Sequence, residues 1–256
     1  MKVVILAGGF GTRLAEETEK KPKPLVEVGE NPILWHIMKH YERHGFDDIL
    51  IALGYKGEAI KKYFMDYLNY HCNISIDFSR AEVKVQDRCV EGWKLGMVDT
   101  GLNTLTGGRV KRLKPFIGDE VFMVTYGDGV SDIDLIKLLE LHRSRGKIGT
   151  VTAVRPPARF GGLIISDDVV SEFTEKPQVG EGWINGGFMV FEPKVFDYID
   201  GDEVSLESHV LERLARDGEL AAYRHEGFWQ CVDTLRDLQL LNRLWSSGDA
   251  PWKTWD

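Results

Sequence analysis

Cysteine is scarce in this 256-residue chain: Cys72, Cys89 and Cys231, an odd number at wide spacing with no CxxC pair. That spacing offers no metal knuckle and points to a reducing compartment. Long apolar runs are missing too. The run Val3 to Ala7 ends in glycines and is too short for a signal peptide or a membrane span. Nor is positive charge in excess: 32 Lys and Arg stand against 40 Asp and Glu, a net charge of −8. That balance argues against binding a nucleic-acid polyanion, yet leaves room for a small anion held by a local cluster of cations. Repeats, low-complexity tracts and Ser/Gly linkers are absent as well. The expectation is a cytoplasmic protein that binds neither membrane nor nucleic acid.

What is present is ordinary globular composition, 43% hydrophobic and 28% charged, long enough to bury a sizeable core. Lys2 to Ala7 reads as a strand buried on both faces. A helix is expected from Asn31, with Asn as cap and Pro32 at its first position, ending at Gly45. Asp48 to Leu53 reads as a second strand, 58–70 as a helix, 74–78 as a third strand. Residues 106–116 read as a helix, 121–126 as a strand and 132–145 as a helix. This alternation implies an α/β fold with a mostly parallel sheet and helices on both faces. After Lys147, short strands are expected at 148–154, 161–166, 169–174 and 184–191, with helices at 205–216 and 235–246. One domain over 1–256 is the simplest division: a nucleotide-like half (1–130), a more antiparallel half on the same sheet (131–234), and a C-terminal helix and tail (235–256).

The stretch LAGGFGTRL at 6–14 puts three glycines within four positions, followed by Arg13. A dinucleotide fingerprint needs a third glycine where Leu14 stands and a helix opening inside the loop, and Pro22 and Pro24 leave little room for one. A P-loop needs Lys-Ser/Thr, which is missing. A plain turn accounts for one or two glycines but not for three beside Arg13, Lys20, Lys21 and Lys23. Backbone amides facing inward make a nest for phosphate oxygens, and arginine adds a bidentate donor. A nucleoside triphosphate fits.

Three later stretches carry further chemistry. In TYGDG (125–129), Asp128 follows an apolar run and so lies at the carboxyl end of a strand, where ligands bind in open α/β sheets. It reads equally as an Asp-Gly turn. Asp233, in CVDT, is either the N-cap of the following helix or a second carboxylate for a shared cation. Two carboxylates with phosphate oxygens and water would suit Mg²⁺. Glu175 and Lys176 form a surface ion pair, or else an acceptor for sugar hydroxyls beside a cation for phosphate. His36, His40 and His44 share a helical face, but no carboxylate completes HExxH, so they read as the border of the apolar stripe.

In this order, LAGGFGTRL, KPKP, GDG, EKP, INGG and the late aspartate resemble the sugar-1-phosphate nucleotidylyltransferases. VDTG at 98–101, TGGR at 106–109, PPARFGGL at 156–163, GFWQ with DT at 227–234 and the closing PWKTWD resemble the members that join CTP to glucose 1-phosphate. The resemblance covers essentially the whole chain; Cys231-Val232 stands where Pro-Met is usual. It implies a Rossmann-like nucleotidyltransferase core with a mixed, mostly parallel central sheet and a smaller antiparallel sugar-binding lobe. Leu6, Ala7, Gly8, Gly9, Gly11, Thr12 and Arg13 would wrap CTP, with Arg13 neutralising the departing pyrophosphate. Lys23 would hold the phosphate at the reacting centre, and Thr104 and Arg109 would contact the nucleotide. Asp128 and Asp233 would hold Mg²⁺. Glu175 and Lys176 would bind the glucose hydroxyls and phosphate, in a pocket shaped by Gly162, Asn185 and Gly187. The resemblance further implies a homo-oligomer, a hexamer by analogy, supplying CDP-glucose for the 3,6-dideoxyhexoses of O-antigen lipopolysaccharide.

Rivals are the same reaction with UTP, dTTP or another sugar 1-phosphate, a nucleotide-sugar sensor that does not turn over, and a glycosyltransferase. The last would carry a DxD metal motif, whereas Asp128 is followed by Gly129 and Val130.

Overall fold

The computed structural model describes residues 1–11, 21–85, 91–155, 162–166, 169–174 and 182–255, with backbone alone at 68–69, 162–166 and 169–174. Strand β1 (Lys2–Ala7) is the centre of the sheet. It pairs in parallel with β2 (Asp48–Leu53) on one side and, on the other, with the later strand Phe122–Tyr126. Val3, Ile5 and Ala7 enter one core and Val4 and Leu6 the other. A continuous apolar run without alternation is what a strand covered on both faces requires.

β2 pairs in parallel with β3 (Lys94–Asp99), and Phe122–Tyr126 is β4. β5 (Gly149–Val154) pairs antiparallel with β6 (Ile184–Asn185) and is joined to β4 through β7 (Met189–Phe191), which lies antiparallel to both; β8 (Leu220–His225) flanks β5 in parallel. Among the described residues the sheet therefore has eight strands, with β6 and β7 reversed, and the carboxyl ends of β1, β2, β3 and β4 gather along one edge. Helices α1 (Ile33–Arg43), α4 (Leu135–Arg145) and α5 (Leu235–Ser247) pack on one face; α2 is Gly57–His71 and α3 is Thr106–Arg112. The second core, on the other face, takes Val110 of α3 and Val195 to Leu214. Among the described residues no helix is long and apolar enough to cross a membrane.

Several elements differ from the sequence expectation. Asn31 and Pro32 pair with Glu27 and Val28, so α1 starts at Ile33 and no side chain caps it. The expected third strand, Ile74–Asp77, lies off the sheet in a hairpin with Glu82–Val85, and β3 takes its place. Both strands of that hairpin are exposed, so apolar residues there do not mark burial. Pro115 sits at the start of the short helix Lys114–Ile117 and divides the expected helix over 106–116. The expected strand 184–191 is interrupted at Gly187 and Phe188, both with positive φ (77° and 46°). The 205–216 helix begins as a π-helical turn, Leu206–Leu211. Cys72 is disulfide-bonded, so the wide cysteine spacing does not by itself argue for a reducing compartment; Cys231 is free.

The histidine trio is also placed differently. His36 and His40 are buried, not at the border of the stripe. The Nε2–H of His36 donates to the Val28 carbonyl at 2.8 Å, and its Nδ1 accepts from the Trp252 indole at 3.4 Å. That pattern needs a neutral ring, and burial lowers its pKa to about 4. Trp252 and Trp245 stack beside it, which docks residues 251–255 onto α1.

Candidate active site

Two cavities open at the carboxyl edge of the sheet. The first, ≈ 410 Å³, is bordered by Leu6, Ala7, Gly8, Gly9, Phe10 and Gly11, and across from them by Leu102 to Thr106 and Arg109. The second, ≈ 460 Å³, is bordered by Asn185, Gly186, Phe188, Glu207, Trp229 and Cys231. Tyr126, Asp128 and Asp233 border both. The wall between the cavities is thus made of two carboxylates and a phenol.

Local structure brings Asp128 and Asp233 together. Beyond β4 the chain turns at Gly127 and enters the strand Gly129–Ser131, which pairs antiparallel with Trp229–Cys231, so Cys231 faces Gly129. The Val232 amide donates to the Asp128 carbonyl at 2.8 Å, which closes the pairing one residue before Asp233. Asp233 is not the cap of α5. Thr234 is, its hydroxyl accepting from the Asp237 amide while the Asp237 carboxylate accepts from Thr234 N–H at 2.8 Å. That reciprocal capping box frees the Asp233 carboxylate to face the cavities.

Lys23 lies between them. Its turn, Lys23–Leu25, is set by Pro22 and Pro24, and Pro24 packs under Gly127. The ammonium reaches Asp128 at 2.6 Å and Asp233 at 2.7 Å. Burial pulls the lysine pKa down, but the two carboxylates outweigh it and the net shift is upward. One ammonium against two carboxylates leaves a negative balance. Two hard oxygen donors converging on one cation fit a divalent ion completed by phosphate oxygens and water. Among the described residues no larger His, Cys, Asp or Glu cluster converges as a metal site. Cys231 lies near the pair, 3.7 Å from Asp233, and burial with the nearby carboxylates pushes its thiol up to about 12, so it stays neutral.

Arg109 borders the first cavity and is 4% exposed. One of its terminal nitrogens donates to the Leu53 carbonyl (3.0 Å), Thr100 Oγ1 (2.8 Å) and the Gly101 carbonyl (2.7 Å); the other donates to the carbonyls of Gly8 (3.0 Å) and Leu102 (3.2 Å). It therefore ties together the ends of β1, β2 and β3. A Cβ on Gly8 or Gly54 would come within 2.3 or 2.4 Å of this guanidinium, so glycine at both positions is a packing requirement.

Of the other expected site residues, Leu6, Ala7, Gly8, Gly9, Gly11 and Thr104 border the first cavity. Asn185 borders the second, its Nδ2 donating to Tyr126 OH (3.3 Å) and its Oδ1 accepting from the Gly187 amide (3.0 Å). Gly187 supplies the positive-φ corner, where a Cβ would press on Tyr126 at 3.0 Å. Gly162 opens the hairpin strand Gly162–Ser166. Thr12, Arg13, Glu175 and Lys176 lie outside the described residues. Sequence reasoning missed Tyr126, Trp229 and Glu207. Tyr126 was next to a recognised motif; Glu207 sits in an unremarkable helical segment and carried no local signal.

The nucleotidyl transferase family model matches residues 2–245. A glucose-1-phosphate cytidylyltransferase from Salmonella typhi is 49% identical over 100% of both chains. A UTP–glucose-1-phosphate uridylyltransferase from Synechocystis sp. is 33% identical, over 85% of this chain and 56% of that one. Among solved structures, HddC from Yersinia pseudotuberculosis superposes with a TM-score of 0.69 at 26% identity, covering 95% of this chain and 99% of that one. The chain belongs to the nucleotidyl transferase family and groups there with the glucose-1-phosphate cytidylyltransferases.

Proposed function

We propose that the protein transfers the cytidylyl group of CTP to α-D-glucose 1-phosphate, releasing CDP-glucose and pyrophosphate. The observation that carries this reading is the shared wall: two substrate-sized cavities meet at Asp128 and Asp233, with Lys23 between them. The first cavity takes the nucleotide and the second the sugar phosphate, so the α-phosphate and the attacking oxygen meet at that wall. The choice of CTP rests on the likeness to the Salmonella protein. UTP, dTTP or another sugar 1-phosphate is the alternative.

The nucleophile is a phosphate oxygen. With a second pKa near ~6 it is largely ionised at neutral pH, so no general base is required. The obstacle is bringing one anion onto another. Lys23 neutralises and aligns the phosphates at the reacting centre, Arg13 takes the charge of the leaving pyrophosphate, and Lys176 with Glu175 holds the sugar phosphate and hydroxyls. Thr104 and the glycine loop seat the nucleotide, and Arg109 holds that loop in place. Asp128 and Asp233 would hold Mg²⁺, which supplies electrostatic neutralisation of the triphosphate. Attack is in line, with inversion at phosphorus; retention in a chiral α-thiophosphate experiment would overturn it.

The halves 1–130 and 131–234 and the C-terminal segment 235–256 act as one unit in this reading. The protein works in the cytoplasm as a homo-oligomer, a hexamer by analogy. Support for assembly comes from the hairpin 74–85, where Phe78 is 89% and Val83 60% exposed, since an isolated two-stranded ribbon is marginal without a partner. CDP-glucose then feeds dideoxyhexose synthesis for O-antigen.

The test is a grid of nucleoside triphosphates against sugar 1-phosphates with Mg²⁺, following pyrophosphate release. CTP with glucose 1-phosphate should give the highest kcat/KM. A higher value for UTP or dTTP would overturn the base assignment.

A further inference from the structure

Glu207 is a partly buried carboxylate with three donors aimed at it. Thr106 Oγ1 donates to Oε2 at 2.6 Å, Ser205 Oγ donates to Oε2 at 2.7 Å, and Tyr126 OH donates to Oε1 at 2.6 Å. These three hydrogen bonds outweigh burial and hold the group below the usual carboxylate range. An ionised carboxylate only accepts, so it dictates the polarity of everything around it. Thr106, having donated to Glu207, presents a lone pair, which accepts from the Leu206 amide at 2.8 Å. Tyr126, having donated, presents a lone pair to Asn185 Nδ2 at 3.3 Å. That in turn leaves Asn185 Oδ1 for the Gly187 amide and sets which way round the side-chain amide sits.

The ends of this relay lie in different places. Thr106 borders the first cavity and not the second; Asn185 and Glu207 border the second and not the first; Tyr126 borders both. Thr106 stands at the head of α3, directly after the Leu102–Leu105 segment that walls the first cavity. A hydrogen-bonded path thus runs from one cavity to the other.

We propose that Glu207 is a positioning residue that couples the two cavities, setting the orientation of Thr106 on the nucleotide side and of Tyr126 and Asn185 on the sugar side. This rests on the reading that the cavities take CTP and glucose 1-phosphate. Filling one cavity then stiffens the same path that shapes the other, and a defect at one end is felt at the far one.

The test is a cross-effect measured by steady-state kinetics with both substrates varied. Thr106→Val removes the donor while keeping the shape, and Thr106→Ser restores it. T106V should raise KM for glucose 1-phosphate about 5-fold or more, although Thr106 does not touch that cavity, and T106S should restore the wild-type value. Glu207→Gln should raise both KM values, and T106V added to E207Q should change KM for glucose 1-phosphate little further. Melting curves of each variant separate this from loss of fold, and T106V alone suffices if E207Q does not fold. A T106V effect confined to KM for CTP, or effects that multiply in the double variant, would overturn the coupling. A wild-type protein that releases no pyrophosphate from CTP and glucose 1-phosphate would instead overturn the functional reading.

Discussion

The Nζ of Lys23 lies 2.6 Å from Oδ2 of Asp128, and the same ammonium bridges to Asp233 at 2.7 Å. Lysine and aspartate thus form one charge cluster before any substrate arrives. The ammonium lies where a cation shared by the two carboxylates would sit.

Replacing Lys23 with Met should lower kcat by about 10²–10³, the range for removing one preorganised donor to developing charge. The same change strips the aspartates of their internal counter-ion. Mn²⁺ titrated into nucleotide-free protein and followed by electron paramagnetic resonance should bind more tightly in K23M than in wild type. Equal affinities would show that the lysine does not screen the pair.

Asp128→Asn and Asp233→Asn should each abolish turnover while leaving the melting temperature within a few degrees of wild type. Both carboxylates are partly exposed, 28% and 20%, so little of the fold depends on them. Pyrophosphate release at the wild-type rate in either variant would remove that aspartate from the reacting centre.

Gly54→Ala places a methyl 2.4 Å from the Arg109 guanidinium and 2.7 Å from the Gly8 carbonyl. Something must move, at a cost of about 1–3 kcal/mol typical of overpacking. Because Arg109 holds the glycine loop, KM for CTP should rise more than KM for glucose 1-phosphate. Arg109→Lys should act in the same direction, since an ammonium cannot span the five acceptors. Equal rises in both KM values would contradict this placement.

The buried histidines make stability depend on pH. Burial holds His36 down to about 4 and His40 to about 3, whereas an unfolded chain titrates near 6.5. Below pH 6.5 the unfolded chain takes up protons that the folded one refuses, so stability falls as pH falls. The loss is about 1.4 kcal/mol per histidine for each pH unit below 6.5, until the folded value is reached. Urea midpoints measured from pH 7.5 to 5 should decline, and a flat profile would argue against neutral buried rings.

Trp252 is 1% exposed, although only four residues of the sequence follow it. Trp252→Ala should cost about 3–5 kcal/mol through lost burial and cavity formation. It also removes the donor to His36. A change in melting temperature of under a degree would show that the tail is not part of the core.

The sheet was legible in the sequence because β1 and β2 are continuous apolar runs bounded by glycine, and a strand covered on both faces needs that pattern. β3 was not read as a strand, since KLGMVD is broken by Gly96 and only partly buried, whereas ISID looked like a strand and proved to be an exposed hairpin arm. Apolar pattern reports that a face is covered without saying by what. The glycine loop, Lys23, Asp128 and Asp233 were legible because their residue types constrain chemistry locally. Whether Asp233 capped a helix or faced a ligand was not, because Asp233 and Thr234 both suit a cap and the Asp237 box settles which one serves.

The sequence alone determined the α/β class, the glycine-rich loop after the first strand and the types of charge available for the chemistry. Those follow from local rules: chain period, glycine freedom and side-chain charge. Tertiary structure was needed to join the carboxylates across one short ribbon, to give Arg109 its place among the ends of three strands, and to bring Glu207 of the second cavity into hydrogen-bond reach of Thr106 at the first. Each of these is a contact between residues distant in the chain, and contacts of that kind exist only once the sheet has closed the distance.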